Sequence, residues 1–299
     1  MDLTVGYIGL GDIGAPMAER IRGGGFELLV WNRSPKKMAP LVAAGAVAAA
    51  SAADLARRCD IVCLCLTNAE AVEAVVFGPE GVAAGAGRVK VLVDNSTIHP
   101  VRTQQFAEQL RTATGIHWLD VPVSGGPVGA RAGTLAAMAG GDAADLELAS
   151  PVIKTYSNHI THMGPTGCGQ ATKACNQVVN FATMGAIAEA VSLGAHFGLD
   201  IKRLPEAWAG GLADSNMLRE YARATSLGEE RGITALINGL IKLYDGDVDA
   251  RLRGRLGILL KDFGIGLDLG RATGSAMPIS SVLDSLYRVL HHQRASDER

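Results

Sequence analysis

Leu3-Thr4-Val5-Gly6-Tyr7-Ile8 runs without a break into Gly9-Leu10-Gly11-Asp12-Ile13-Gly14, and then into Met17, Ala18 and Ile21. The first six residues read as a short apolar strand and the last three as a helical pattern, so the glycines fall in a strand-to-helix turn. Gly9 allows the tight turn, Gly11 lets the backbone approach a pyrophosphate, and Gly14 lets helix and strand pack closely. Phosphates would sit on the orphan N–H groups and the positive end of the helix. Gly9, Leu10, Gly11, Asp12, Ile13 and Gly14 are therefore the first expected cofactor contacts.

A second strand, Phe26 to Trp31, ends in Asn32-Arg33-Ser34, with Lys37 one turn on. A carboxylate at this point of a βαβ unit would bind ribose hydroxyls and repel a 2′-phosphate. An arginine beside two small hydrogen-bonding side chains would hold that phosphate instead. Asn32, Arg33, Ser34 and Lys37 thus point to NADP as the cofactor.

At 299 residues the chain exceeds one comfortable core, so two domains are expected. Hydrophobic residues at 48% and charged residues at 19% suit a compact enzyme and exclude a disordered chain. The net charge of −2, without blocks of like charge, gives no sign of a nucleic-acid partner. The N-terminus enters a strand at once, and no apolar run is read as long enough to span a bilayer. The expectation is a cytoplasmic protein with no membrane partner. Of the cysteines, Cys63 and Cys65 alternate within the apolar run Ile61–Leu66 and should be buried strand thiols on one face. Cys175 reads as a packed helix thiol, and no spacing suggests a metal site.

Strand candidates Thr4–Ile8, Phe26–Trp31, Ile61–Leu66, Val89–Asp94, His117–Val121, Leu135–Ala139 and His159–Met163 alternate with helical patterns such as Ser51–Arg58 and Pro100–Arg111. Alternation of this kind gives a mostly parallel sheet with its ligand crevice at the carboxyl ends of the strands. After Gly164 the character changes. Gly169 to about Phe197 can be one helix, apolar nearly all round, with few charges (Lys173, Glu189). Helical stretches follow at about 201–209, 214–224, 232–244, 248–272 and 279–292. The expected fold class is α/β. A doubly wound Rossmann-type domain (residues 1–164) precedes an all-α domain with one long central helix (residues 165–299).

Lys173 lies on that long helix with Asn176 three and Asn180 seven positions on, so the three share one face. Burying a lysine in an apolar helix lowers its pKa towards neutrality, which suits an acid/base catalyst for an alcohol or carbonyl. Alone, such a lysine is more simply read as snorkelling to water. It is not alone. Asp120-Val121-Pro122-Val123-Ser124-Gly125-Gly126-Pro127 ends a strand with a hydroxyl and two glycine N–H groups, an anion cradle for a substrate carboxylate. Asp94-Asn95-Ser96-Thr97 ends another strand at the same face, towards the nicotinamide side. A hydride acceptor, a carboxylate cradle and a proton-transferring lysine together describe oxidoreduction of a small carboxylate-bearing hydroxy acid.

Four ordered motifs now carry a resemblance over nearly the whole chain. They are Gly9 to Ala18, Asp94 to Thr97, Asp120 to Gly126, and Gly167-Cys168-Gly169-Gln170-Ala171-Thr172-Lys173-Ala174-Cys175-Asn176, with a weaker fifth in Leu260-Lys261-Asp262-Phe263. The chain resembles the β-hydroxyacid dehydrogenase family of 3-hydroxyisobutyrate dehydrogenases, tartronate semialdehyde reductases and glyoxylate/succinic semialdehyde reductases, and more distantly 6-phosphogluconate dehydrogenases. The resemblance implies Lys173 as the catalytic acid/base and Asn176 as its aid in orienting substrate. It implies Ser124, Gly125 and Gly126 on the carboxylate. Leu66, Thr67, Ser96 and Thr97 would lie beside the nicotinamide, and Lys261 would reach the cofactor from the helical domain.

Ile13 stands where Met is usual, Thr67 where Pro is common, and the stretch from about Asn216 to Arg255 departs from the family pattern. The helical domain completes the substrate pocket in that family, so these changes bear on substrate identity. Chain length argues against 6-phosphogluconate itself. Two other readings are an imine reductase on the same fold and a catalytically silent dinucleotide-binding protein. Relatives of both kinds usually lack the lysine, so Lys173 counts against each. The long apolar helix also exceeds what a small domain should cover, which implies a homodimer or homotetramer.

Overall fold

The computed structural model describes residues 3–230, 232–244 and 250–292. Among these, nine strands form one sheet: β1 (Thr4–Ile8), β2 (Glu27–Trp31), β3 (Val47–Ala48), β4 (Ile61–Leu64), β5 (Val91–Asp94), β6 (His117–Asp120), β7 (Val123–Ser124), β8 (Leu135–Gly140) and β9 (Ser157–Gly164). Their order is β3-β2-β1-β4-β5-β6-β8-β7, with β9 paired to β8. Strands β3 through β6 are parallel, β8 runs antiparallel to β6 and β7, and β9 is parallel to β8. Sequence order reverses between β1 and β4, which places the ligand crevice at their carboxyl ends.

The central parallel strands β1, β4 and β5 are covered on both faces, so they read as unbroken apolar runs. Successive side chains serve opposite layers. Tyr7, Val30, Cys63 and Val93 pack with Met17, Ile21 and Val152 on one face. Ile8, Leu29, Leu64 and Leu92 pack with Leu55, Val72, Phe106 and Leu110 on the other. Cys65 departs from the expected pair of strand thiols. Strand β4 ends at Leu64, so Cys63 is buried and Cys65 is half-buried in the loop beyond. The short strands β3 and β7, two residues each, carry too little pattern to have been anticipated. Helix Ala52–Arg58 begins as expected at Ser51, whose hydroxyl accepts from the Asp54 N–H.

The chain divides into two compact units, Met1–Lys173 and Ala174–Arg299. The division falls inside the long helix, Cys168–Phe197, rather than at the glycine-rich turn before it. The second unit is helical among its described residues. It holds the rest of that helix and the helices Leu204–Trp208, Asn216–Ser226, Gly232–Tyr244, Ala250–Thr273 and Pro278–His292. The stretch expected at 201–209 splits into a 3-10 turn, Ile201–Arg203, and the short helix that follows. Positions 248 and 249 of the expected 248–272 helix lie outside the described residues, as does part of the divergent segment 216–255. The core of this unit gathers Phe181, Met184, Val191, Leu218, Ile237, Leu240, Phe263 and Tyr287.

One expectation is corrected by the long helix. At 30 residues, Cys168–Phe197 is long and apolar enough to cross a bilayer by length and composition alone. A core helix passes the same test, and two of its polar side chains are bonded within protein. Gln170 bonds to Ser96 and Ile98, and Gln177 to Asp262.

The helix starts on a buried carboxylate. Asp120, at the end of β6, is fully buried, and its two oxygens accept from the N–H groups of Gly167 and Gln170 at 2.8 Å each. This satisfies two of the orphan donors of the first turn. Burial pushes the Asp120 carboxyl up to about 6, against the opposing pull of those N–H donors. Its value in the unfolded chain is about 3.9. A raised acid contributes stability fully present below the unfolded value and lost as pH rises through the folded one. Relative to Asp120→Asn, the wild type should therefore lose on the order of 2–3 kcal/mol between pH 4 and pH 7. Denaturant unfolding of both proteins across that range checks this, and a wild type that gains on the variant with rising pH would refute it.

Candidate active site

Five loops leave the carboxyl edge of the sheet, after β1, β2, β4, β5 and β6. The parallel ladder extends into them: Gly9 N–H donates to Trp31 O, Cys65 to Ile8 O, Asn95 to Leu64 O and Val121 to Asp94 O. They are thus held side by side by the sheet itself.

In the first loop Gly9 has φ +95°, a conformation that side chains rarely adopt, and a β-carbon at Gly14 would collide with the Gly9 carbonyl oxygen. A β-carbon at Gly11 would meet nothing within 4 Å. The loop is therefore tight where it packs and open where a dinucleotide's phosphates would lie, so these residues fit that cofactor. Asp12 is exposed and Ile13 is partly covered. The Leu10 N–H is turned inward, donating to Asn32 Oδ1 at 2.9 Å.

That bond occupies the carboxamide oxygen of Asn32. Its carboxamide also donates to Ser34 O at 3.0 Å, so it ties the fingerprint loop to the turn after β2. Arg33, Ser34 and Lys37 are exposed on that turn, with Lys37 in the 3-10 segment Pro35–Lys37. Arg33, Lys36 and Lys37 give this turn a positive charge.

The loops after β4 and β5 are joined by Ser96, whose hydroxyl accepts from the Leu66 N–H at 2.9 Å while its own N–H donates to Asp94 Oδ1 at 2.8 Å. Leu66 and Thr97 are partly exposed and Thr67 is exposed, which leaves all three able to meet a ligand. Ser96 is buried and serves the fold of the loops. The loops after β5 and β6 are joined by Asn95, which donates to Val121 O at 2.8 Å. Beyond Val121 the chain forms β7 and turns at Gly125 (φ +129°) and Gly126 (φ +60°) into helix Gly126–Ala132. Ser124 and both glycines retain solvent exposure at this turn, as a carboxylate cradle requires.

Lys173 is buried, at 6% exposure, in the first two turns of the long helix. One turn before it, Gln170 donates to Ser96 O at 2.7 Å and accepts from the Ile98 N–H at 3.2 Å. Lys173 is thus carried on a helix end fixed to the ends of β5 and β6. Asn176 follows one turn later and accepts at Oδ1 from Asn180 Nδ2, which bears out the shared face within the helix. In the second unit Lys261 pairs with Asp262 at 2.9 Å, and the other oxygen of Asp262 accepts from Gln177 Nε2. Cys175 is exposed and not packed as expected. No group of His, Cys, Asp and Glu among the described residues could hold a metal ion.

Sequence reasoning missed Asp120, Asn95 and Gln170 as structural members of the site. A signal existed for Gln170: it is a neutral polar residue in an otherwise apolar and small stretch, one helical turn from the lysine.

Two family models match the chain: the NAD binding domain of 6-phosphogluconate dehydrogenase over residues 4–164, and the NAD-binding domain of NADP-dependent 3-hydroxyisobutyrate dehydrogenase over residues 167–242. The chain is 34% identical to NAD-dependent L-serine dehydrogenase of Pseudomonas aeruginosa, over 97% of this chain and 92% of that one. It is 36% identical to 2-hydroxy-3-oxopropionate reductase of Escherichia coli, over 73% and 74%. Among solved structures it resembles Mycobacterium tuberculosis 3-hydroxyisobutyrate dehydrogenase with L-serine, at a TM-score of 0.77 and 29% identity, covering 99% and 96% of the two chains. With a fingerprint loop that fits a nicotinamide dinucleotide, a buried lysine on a helix pinned to the ends of β5 and β6, and relatives that match over nearly the whole chain, this chain belongs to the β-hydroxyacid dehydrogenase family.

Proposed function

We propose that the protein is an NADP-dependent oxidoreductase that interconverts a short β-hydroxyacid and its semialdehyde, with Lys173 as the acid/base. The observation that carries this reading is the burial of Lys173 on a helix end whose position Asp120 and Gln170 fix. When bound, the nicotinamide supplies or accepts the hydride. Lys173 takes the hydroxyl proton in oxidation and returns it to the carbonyl oxygen in reduction. Ser124 and the N–H groups of Gly125 and Gly126 hold the substrate carboxylate. Asn176, one turn on from Lys173, orients the substrate hydroxyl. The substrate class follows the relatives, which are named for L-serine, 2-hydroxy-3-oxopropionate and 3-hydroxyisobutyrate. A panel of such acids and aldehydes read by NADPH absorbance, with NADH in parallel, identifies the member.

Lys173→Ala should cut turnover by at least ~10²-fold, as for loss of a general acid/base, while cofactor affinity changes little. Lys173→Arg should not restore it, because a guanidinium cannot release its proton near neutral pH. Near-normal turnover in Lys173→Ala on the substrate that the panel finds would remove the acid/base assignment.

The preference for NADP rests on Arg33, with Ser34 and Lys37 beside it. Arg33→Ala should weaken NADPH binding by ~10- to 100-fold, the scale of one charge-assisted hydrogen-bonding partner. NADH binding should stay nearly unchanged. Titration by fluorescence decides this, and equal losses for the two cofactors would remove the assignment.

We also propose that the protein is a homodimer or larger closed oligomer. Val179, Leu193 and Phe197 of the long helix are 62%, 73% and 82% exposed, and Ile279 and Val282 of the last helix are 70% and 69% exposed. Apolar exposure of this kind on two helices favours an interface between copies. Light scattering at micromolar concentration should give at least twice 31.1 kDa, and a monomer mass would defeat the proposal.

A further inference from the structure

Gln170 is almost fully buried, at 1% exposure, and its side chain makes two bonds to main-chain groups of one loop. Nε2 donates to the Ser96 carbonyl at 2.7 Å, and Oε1 accepts from the Ile98 N–H at 3.2 Å. Ser96 in turn accepts the Leu66 N–H on its hydroxyl, so the loop after β4 hangs on the same residue. On the helix side, the Gln170 N–H is held by the buried carboxylate of Asp120. Three strand ends therefore meet at the residue one helical turn before Lys173. One turn of helix is about 5.4 Å, short enough that any shift of Gln170 is passed on to the lysine.

We infer that Gln170 is a positioning residue: it sets the distance and angle between the Lys173 ammonium and the loops Leu66–Thr67 and Ser96–Thr97. The inference rests on the proposed function for its chemical consequence, but the clamp itself is a property of the chain's own bonds. A carboxamide is needed because the two loop groups are one acceptor and one donor. Glutamate at this position keeps the bond from Ile98 but sets a carboxylate against the Ser96 carbonyl. Methionine has a similar length and neither bond, which leaves a buried carbonyl and N–H unpaired. Gln170 touches neither substrate nor cofactor in this scheme. Its loss should therefore act on turnover through geometry, where a displacement of about 1 Å can cost ~10²-fold.

The test compares wild type, Gln170→Met, Gln170→Glu and Lys173→Ala. Amide exchange followed by mass spectrometry reports on the clamp without turnover. In Gln170→Met, peptides containing Leu66 and Ile98 should exchange about tenfold faster, while those of β1 and β2 stay as in wild type. With the substrate from the panel, kcat should fall by ~10- to 100-fold and the cofactor dissociation constant by no more than about threefold in either direction. Gln170→Glu should not rescue kcat. Lys173→Ala should lose turnover while leaving exchange at Leu66 and Ile98 unchanged, which separates the clamp from the acid/base assignment. Unaltered exchange in Gln170→Met would overturn the clamp. Faster exchange with kcat within about twofold of wild type would make Gln170 a stability residue and overturn its positioning role. If no acid on the panel turns over in wild type, the proposed function fails and exchange alone judges the clamp.

Discussion

A parallel sheet delivers all its strand ends to one edge, and everything functional in this molecule depends on how that edge is closed. The ladder bonds of Gly9, Cys65, Asn95 and Val121 keep the loops in line, but a ladder fixes only the first residue or two beyond each strand. Further out the chain uses side chains whose two ends differ in polarity. Asn32 accepts from Leu10 and donates to Ser34, and Gln170 accepts from Ile98 and donates to Ser96. Asn95 donates to Val121 from the loop between them. Each joins neighbouring segments with neutral groups, which avoids the cost of burying a charge where none is needed.

Asp120, a buried carboxylate bonded to the start of the long helix, stands where a charge has a use. Two backbone N–H groups at the start of the long helix converge on it, and the helix dipole favours a negative charge there. The same burial that makes the bonds strong raises the energy of the ionised form, so the cap is a compromise between solvation and bonding. A helix fixed in this way at its first turn holds the backbone of the buried Lys173 in place. Positioning and proton transfer are thereby assigned to different residues, with Asp120 and Gln170 doing the first and Lys173 proposed for the second.

What could be read from the sequence follows the range of the forces involved. The strands β1, β2, β4, β5, β6 and β8 were legible because burial imposes a local pattern, and the fingerprint was legible because the turn at Gly9 excludes side chains. Strands β3 and β7 were not, since two residues carry no period. Lys173 stood out as a charge in an apolar helix. Asp120 and Gln170 did not declare their bonds, because their partners lie 50 and about 72 positions away and no local rule links them. Cys65 was misplaced because the strand was read two residues too far, past Leu64, where the ladder gives way to a loop and hydrophobicity alone cannot mark the boundary.

The division of labour also explains why the family is easier to recognise than the substrate. The dinucleotide fold is read largely by main-chain groups, and main-chain geometry is enforced by glycines and by the sheet, so it survives at 34% identity. A substrate of a few carbon atoms is distinguished by the few side chains around its variable end. The carboxylate cradle proposed at Ser124, Gly125 and Gly126 and the proton site proposed at Lys173 would serve every β-hydroxyacid alike. Discrimination between serine-like and isobutyrate-like substrates then falls to residues outside these motifs, where one polar partner for an amino or hydroxyl group changes affinity far more than one methyl contact.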